Sequence, residues 1–365
     1  MHMANELLSP PVAGITLAAA GAAIGYICKK ASQVITPDKL ALMGIMGAFV
    51  FAGQMINVPV LAGTSGHLTG AVLVSLLLGP WAAAIVISSV VIVQCLIFMD
   101  GGILALGCNI INMAIVPSFV GYWTYNLIMG SCGSSIDRGN QAVGFASYTR
   151  SCSKSITAVM SACLISVLIS SILVPIEAAA SGVLTVPFIT FAVTMVSVHF
   201  VIGIFEGLVT VATLGYLKKT CPSVFSAICD IPAASSITTE DKSTCGSKPA
   251  AGINCKRMFV SMITVTVVVA GVLSLFASSL PDGLEWSYAD RPNDPEFAPI
   301  VENSDNTIKK ADELHEKYSV MPDYTVKTTG ESEAAAGWTS FAGVAGSLLV
   351  MGVILITGKV IRNKQ

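Results

Sequence analysis

An all-α membrane helix bundle is the fold class this sequence predicts, and three observations predict it. The 365 residues are 53% hydrophobic and only 12% charged, with a mean hydropathy of +0.75. A soluble domain carries about twice that charged fraction. Several apolar runs approach or exceed the ~20 residues that cross a bilayer. Finally, Lys and Arg gather in alternate connections between those runs, as in a chain that threads a membrane many times.

In chain order the runs predict helices near 12–28, 39–57, 67–78, 80–99, 103–128, 156–179 and 186–216. The run at 67–78 is too short to span, so it reads as a half-length helix that turns at Gly79-Pro80-Trp81. Its neighbours must bury it, because lipid cannot satisfy irregular backbone. These seven segments form a first module, residues 1–217. Residues 218–257 are rich in Ser, Thr, Pro, Lys and Cys without an apolar period, which reads as a cytoplasmic linker. A second module, 258–365, has one helix out near 258–280, an acidic outer loop at 281–336 and one helix back near 337–358. His315 in that loop reads as ordinary surface, and the module as a separable appendage.

Charge sets the orientation. Lys29 and Lys30, then Arg138, Arg150 and Lys154, then Lys218 and Lys219 fall in alternate connections, whereas 57–67, 100–102 and 178–186 have no basic residue. Basic connections face the cytoplasm, so the N-terminus and His67 share the outer side of a cytoplasmic (inner) membrane. The first apolar run has no basic flank before it, so no cleavable signal is expected and Met1 should persist. Cys132, Cys152, Cys221, Cys229, Cys245 and Cys255 fall in the cytoplasmic connections, without a CxxC pair. They read as reduced structural thiols.

The chain opens Met1-His2, and that is its most informative chemistry. The Met1 amine, the His2 amide nitrogen and the His2 imidazole Nδ1 close a five-membered and a six-membered chelate ring on one metal ion. Three nitrogens then lie in a plane, and a second imidazole, that of His67, completes a square. Such a plane suits Ni(II) or Cu(II). Metal binding should weaken as pH falls through the ordinary imidazole range near ~6.5, since ligands must shed protons.

Other polar residues have two readings each. Thr64 and Ser65 either cap the helix start that follows them or orient His67. Asn109 and Asn112 stand at i, i+3 on one helical face and either bond between helices or line a pocket. His199 and Glu206, two turns apart, share a face and can contact each other to position the N-terminal segment. No G-x-x-x-x-G-K-[ST] sequence occurs and no catalytic Ser/His/Asp constellation is credible, so the chain is read as a non-enzyme.

Several motifs together resemble a known family. Met1-His2, the run Gly63-Thr64-Ser65-Gly66-His67, Gly79-Pro80-Trp81-Ala82-Ala83, the run Asp100-Gly101-Gly102 to Gly107 with Asn109, Asn112 and Met113, and His199 with Glu206-Gly207 are similar to the CbiM/NikM family. Leu280-Pro281-Asp282-Gly283-Leu284-Glu285 resembles the PDGLE motif of the CbiN/NikN accessory subunit, so the chain looks like the fused NikMN type. One departure is that family members commonly have an acidic residue and a glycine soon after Met-His, whereas this chain reads Met3-Ala4-Asn5-Glu6.

The resemblance implies the substrate-capture (S) component of an energy-coupling-factor transporter. It also implies Met1, His2 and His67 as ligands of Ni(II), or alternatively Co(II), as transported substrate. The implied partners are a transmembrane coupling (T) subunit and separate ATPase subunits, besides membrane lipid and with no nucleic acid. Small residues of the first helix, Gly14, Ala18 and Ala22, would face the coupling subunit. A different class stays open as the alternative: a membrane metal sensor or assembly factor that binds without transporting.

Overall fold

The computed structural model describes residues 2–61, 64–130, 152–220, 256–278, 280, 282–288, 305–325 and 336–363. Met1, Gly63, Arg138, Arg150, Pro281, the linker from 221 to 255 and the loop stretches 289–304 and 326–335 lie outside the described residues. So do the side chains of Cys132, Cys152, Cys221, Cys229, Cys245 and Cys255.

Helix α1 spans Pro10–Ser32, α2 Pro37–Gln54, α3 Ala71–Leu78, α4 Pro80–Phe98 and α5 Leu106–Gly130. Helices α6, Cys152–Ser181, and α7, Phe188–Thr220, complete the first module. In the second, α8 is Lys256–Gly271, α9 Gly283–Tyr288, α10 Asn306–Tyr318 and α11 Ala336–Arg362. Among the described residues, seven helices are long and apolar enough to cross a membrane; α2 and α3 are not among them. The chain is a multi-pass membrane protein of mostly helical structure.

Local chemistry explains the boundaries. Prolines stand at the first positions of α1, α2 and α4, where a missing N–H costs nothing. The Thr36 hydroxyl caps α2 by accepting from the Lys39 N–H. Lys29 and Lys30 close α1, and Lys218 and Lys219 close α7, where they complement the helix dipole. Between α3 and α4 the chain turns at Gly79, whose φ of 81° is open to glycine and costly to other residues.

The expected helix over 67–78 starts later. Residues Val58–Leu61 (β1) and Thr64–Gly66 (β2) pair as an antiparallel hairpin, so α3 begins only at Ala71, after Gly70 at φ 70°. Thr64 and Ser65 are therefore strand residues and do not cap a helix. The expected helix near 258–280 stops at Gly271, followed by a 3-10 turn at Leu273–Phe276.

The modules share one core. Helix α2 is buried along nearly its whole length, and α8 and α11 pack against it. Leu355 and Met351 of α11 approach Gly44, and Leu40 meets Gly358, contacts that a side chain at either glycine would obstruct. Gly203 and Gly207 of α7 rest closely on Leu164 and Met160 of α6, the small-residue packing their spacing predicts. Gly14, Ala18 and Ala22 instead lie on an exposed face of α1.

Chain direction alternates from helix to helix. The N-terminal segment, the hairpin, the C-terminus of α4, the N-terminus of α5 and the loop after α8 consequently gather at one end of the bundle.

Candidate metal centre

Residues 2–8 form a buried plug at that end: Met3, Leu7 and Leu8 are enclosed, and Asn5 with them. Asn109 holds the plug at both faces of one residue. Its Oδ1 accepts from the Met3 N–H at 2.7 Å, and its Nδ2 donates to the Met3 carbonyl at 3.1 Å. The Gly102 N–H donates to the same carbonyl at 2.9 Å. Asn5 Oδ1 accepts from the Leu104 N–H at 2.8 Å. Thus the Asp100-Gly101-Gly102 turn is a seat for the N-terminal backbone, and Gly102 allows Asn5 to lie directly on it.

That plug brings His2 against His67. Their rings stack at 5.1 Å between centroids, with 23° between planes. His67 follows the hairpin, and its Nδ1 lies 3.3 Å from the Leu68 carbonyl. A proton on Nδ1 bonded there leaves Nε2 with the lone pair, the state in which imidazole binds metal. Nε2 faces Asp282 Oδ2 at 3.9 Å. Burial pushes the His67 imidazole down to about 3, so the ring stays neutral across the working range.

His2 sits in a closed ring of four polar side chains. Its Nδ1 is 2.9 Å from Asp100 Oδ1 and its Nε2 is 3.2 Å from Gln94 Oε1. Gln94 Nε2 donates to the Tyr324 hydroxyl at 3.3 Å, and that hydroxyl donates to Asp100 Oδ2 at 2.5 Å. Burial alone would raise the Asp100 carboxyl, but the facing His2 and the hydrogen bonds from His2 and Tyr324 outweigh it and hold it below its usual range. Burial pushes the Tyr324 phenol well above its own range, which keeps it a donor.

The end of α4 aims Asp100. The Asp100 N–H reaches back to the Gln94 carbonyl and the Met99 N–H to the Cys95 carbonyl, both at 3.1 Å, with Met99 left-handed at φ 60°. This terminal loop usually takes glycine at the left-handed position. Here it has Met, and the strain sits beside the site.

The second module closes over the centre. The Ser65 hydroxyl donates to the Leu280 carbonyl at 2.8 Å, and Ser65 bridges Asp282 in parallel. Asp282 caps α9 by accepting from the Glu285 N–H at 2.7 Å. Asn5 Nδ2 donates to Asp312 on α10. His315 is not ordinary surface: it is buried, and its Nε2 lies 2.7 Å from the Cys95 carbonyl.

The remaining sequence candidates separate. Thr64 is buried, and its hydroxyl donates to the Ser65 carbonyl at 3.3 Å. His199 and Glu206 do not contact each other. Glu206 accepts from Thr69, while His199 Nδ1 bonds the Met195 carbonyl at 2.8 Å and its buried Nε2 has no partner among the described residues. Asn109 and Asn112 also diverge, because a π-helical stretch, Ile110–Ile115, changes the angular step between them. Asn112 Nδ2 instead donates to Glu177 Oε2 on α6 at 2.8 Å.

Sequence reasoning missed Gln94, Asp100, Asp282 and Tyr324 as site residues. Asp100 and Asp282 stood inside the quoted motifs, and Gln94 interrupts an apolar run; nothing local marks Tyr324. Among the described residues, no group of three or more His, Cys, Asp or Glu side chains is arranged to hold a metal.

Comparison with known proteins identifies the family. The family described as CbiM, "Cobalt uptake substrate-specific transmembrane region", matches residues 2–224, and a PDGLE domain matches 256–363. A protein of Archaeoglobus fulgidus, provisionally named a fused nickel transport protein NikMN, is 33% identical over 225 residues, 61% of this chain and 68% of the relative. The fused nickel transport protein NikMN of Rhodobacter capsulatus is 35% identical over 150 residues, 40% of this chain and 43% of that one. The cobalt transport protein CbiM of Thermosediminibacter oceani is 40% identical over 111 residues, 30% of this chain and 45% of that one. A solved structure described as a truncated transition metal transporter is 28% identical, with a TM-score of 0.43 over 60% of this chain and 99% of that chain. The chain belongs to the CbiM family, a membrane component of nickel and cobalt uptake, and has a PDGLE domain behind it.

Proposed function

We propose that this chain is the substrate-capture component of an ATP-driven, energy-coupling-factor nickel importer, with cobalt as the alternative cargo. The observation that supports it most is the stacked pair His2 and His67, 5.1 Å apart at the closed end of the bundle. In a four-nitrogen plane the His2 amide is the central nitrogen of the chelate, so His67 stands opposite it and the two imidazoles are neighbours. Metal–nitrogen bonds near ~2 Å then put the ring centroids roughly 4.5 Å apart, close to the spacing seen. Among the described residues no three His, Cys, Asp or Glu side chains converge to hold a metal ion, and backbone nitrogens are the natural further donors. In the proposed chelate these are the Met1 amine and the His2 amide.

His2 Nδ1, the nitrogen the chelate uses, faces Asp100, so that nitrogen gives up its proton on binding and the carboxylate stays beside the cation as a counter-charge. One carboxylate and one deprotonated amide then balance a dication in a buried site. Nickel is favoured among available ions by the planar nitrogen set. The acidic second-module segment, and Asp282 within it, attracts cations on the outer side. The basic residues Lys29, Lys30, Lys218 and Lys219 at the other end support a cytoplasmic assignment there, in the inner membrane. The reading keeps the division into 1–217, a linker at 218–257 and 258–365. A transmembrane coupling subunit and ATPase subunits supply the drive, the coupling subunit docking on the exposed small-residue face of α1.

The test is nickel and cobalt uptake in cells that produce this chain with and without coupling and ATPase subunits. Uptake is expected only with all of them. Stoichiometric metal binding without any dependence of uptake on ATPase subunits would favour a sensor or assembly factor instead.

A further inference from the structure

The ring His2–Asp100–Tyr324–Gln94 joins the first residues of the chain to a residue more than 300 positions later, and nothing in the metal-capture chemistry itself asks for Tyr324. We propose that Tyr324 is a positioning residue for metal capture: its hydroxyl, acting through Asp100 and Gln94, fixes the orientation of the His2 imidazole. This deepens the metal-capture reading and rests on it.

Three observations support the role. First, the directions are complementary. The Tyr324 hydroxyl donates to Asp100 Oδ2 and accepts from Gln94 Nε2, so it ties together the two groups that face the two His2 ring nitrogens. A ligating imidazole is ordinarily oriented by a partner on its other nitrogen, here Gln94 on Nε2, and loss of such a partner costs about 10–100-fold in metal affinity.

Second, the aromatic ring of Tyr324 has its own seat, stacked on Phe98 at 4.8 Å and edge-on to Phe51 at 6.2 Å. Packing is therefore provided by the ring, and the hydroxyl is left to serve the polar contacts. Third, both ends of the Tyr324–Asp100 bond are on backbone that is costly to hold. Asp323 and Tyr324 are left-handed at φ 50° and 60°, and Met99, before Asp100, at 60°. Backbone of this kind persists where its surroundings over-determine it, and it clusters at functional sites.

The role predicts where specificity is set. Asp100 stands on the Nδ1 side of His2, where a chelated cation lies, and Tyr324 holds it there. Release of that carboxylate lets it swing onto the metal as an oxygen ligand or turn away, and either change degrades a planar nitrogen site.

The experiment uses the full chain, purified in detergent with its native N-terminus, and Ni(II) as the probe. Tyr324→Phe retains the stacked ring and should lower nickel affinity about 10–100-fold. The melting temperature of the metal-free protein should stay near wild type, and the visible band of square-planar nickel should weaken. Asp100→Asn should lower affinity at least as far. Tyr324→Phe should add little once Asp100→Asn and Gln94→Ala are both present, because Tyr324 acts through those two groups; a full further loss there overturns the route. Wild-type affinity in Tyr324→Phe, with His67→Ala impaired, overturns the role of Tyr324 and leaves the metal site standing. Wild-type affinity in His67→Ala overturns the site, and Tyr324's role with it. If Tyr324→Phe does not fold, Asp100→Asn reads the same bond from its other end, and wild-type affinity there overturns the proposal.

Discussion

The Glu206 carboxylate grips Thr69 twice, accepting from its backbone N–H at 3.1 Å and from its hydroxyl at 2.6 Å. Thr69 stands two residues after His67, so a carboxylate in the middle of α7 anchors the loop that presents the second imidazole. The Gln54 amide adds a bond to the Thr69 carbonyl at 2.8 Å. An ionisable group inside a membrane helix is costly unless it is paired in this way.

Glu206→Ala leaves buried donors of Thr69 without this acceptor, at a cost of about 1–3 kcal/mol. Glu206→Gln retains one acceptor oxygen. Nickel affinity measured by calorimetric titration should therefore fall in the order wild type, Gln, Ala, with the Ala variant at least ~10-fold weaker. Equal affinities would detach the Thr69 loop from metal binding.

Acidification should weaken nickel binding, but not through His67. Burial holds that ring down at about 3, so lowering the pH from 8 to 5 adds no proton to it, and the expectation of an ordinary window near ~6.5 does not apply there. Proton competition falls instead on the amine, whose ordinary range is near ~7.7–8, on the amide, and on His2 Nδ1 facing Asp100. Below that range each step down in pH protonates a ligand and lowers affinity. Binding should release at least one proton per nickel at pH 8 and more at pH 6.5, as read from titrations in buffers of different ionisation heat. Release of fewer than one proton at every pH would remove the amide from the ligand set.

An extension ahead of Met1 should abolish high-affinity binding and uptake, and a C-terminal tag should be tolerated. Residues 2–8 are a buried plug clamped at Met3, which leaves little tolerance for added chain. Full nickel uptake by an extended, unprocessed protein, compared at matched abundance, would defeat the assignment of the Met1 amine.

Truncation at the linker is expected to do more harm than a modular reading of the sequence suggests. Removing α8 and α11 strips the cover from α2, and removing residues 280–324 takes away Asp282 and Tyr324. A chain ending near residue 220 should show a lower melting temperature and at least ~10-fold weaker nickel binding. Affinity and melting temperature equal to the full chain would show that the modules are independent.

The parts of the fold that follow from lipid were legible in the sequence. Apolar run length marks the spanning helices, and Gly79-Pro80 marks the turn between α3 and α4, because proline opens a helix and glycine takes the φ of 81°. The hairpin at 58–66 was not, since strands of three and four residues with Pro59 among them give no alternation to detect. At the site, His2 and His67 were legible through chelate chemistry and charge counting. Asp100 needed the terminal loop of α4, whose left-handed residue is Met99 where glycine would have announced it. Tyr324 and His315 were hidden for a different reason. Their partners lie over 200 residues away, and no local pattern records a pairing of that kind.

The hydrogen-bonded ring around His2 also has a temporal side. Its members stand at positions 2, 94, 100 and 324, so the ring cannot close until residue 324 has left the ribosome. Contacts this remote along the chain form late, after the loop between them has paid its closure entropy. A growing chain already displays its N-terminal residues, but it lacks the tyrosine that finishes their surroundings. A residue synthesised more than 300 positions later thus completes the surroundings of His2.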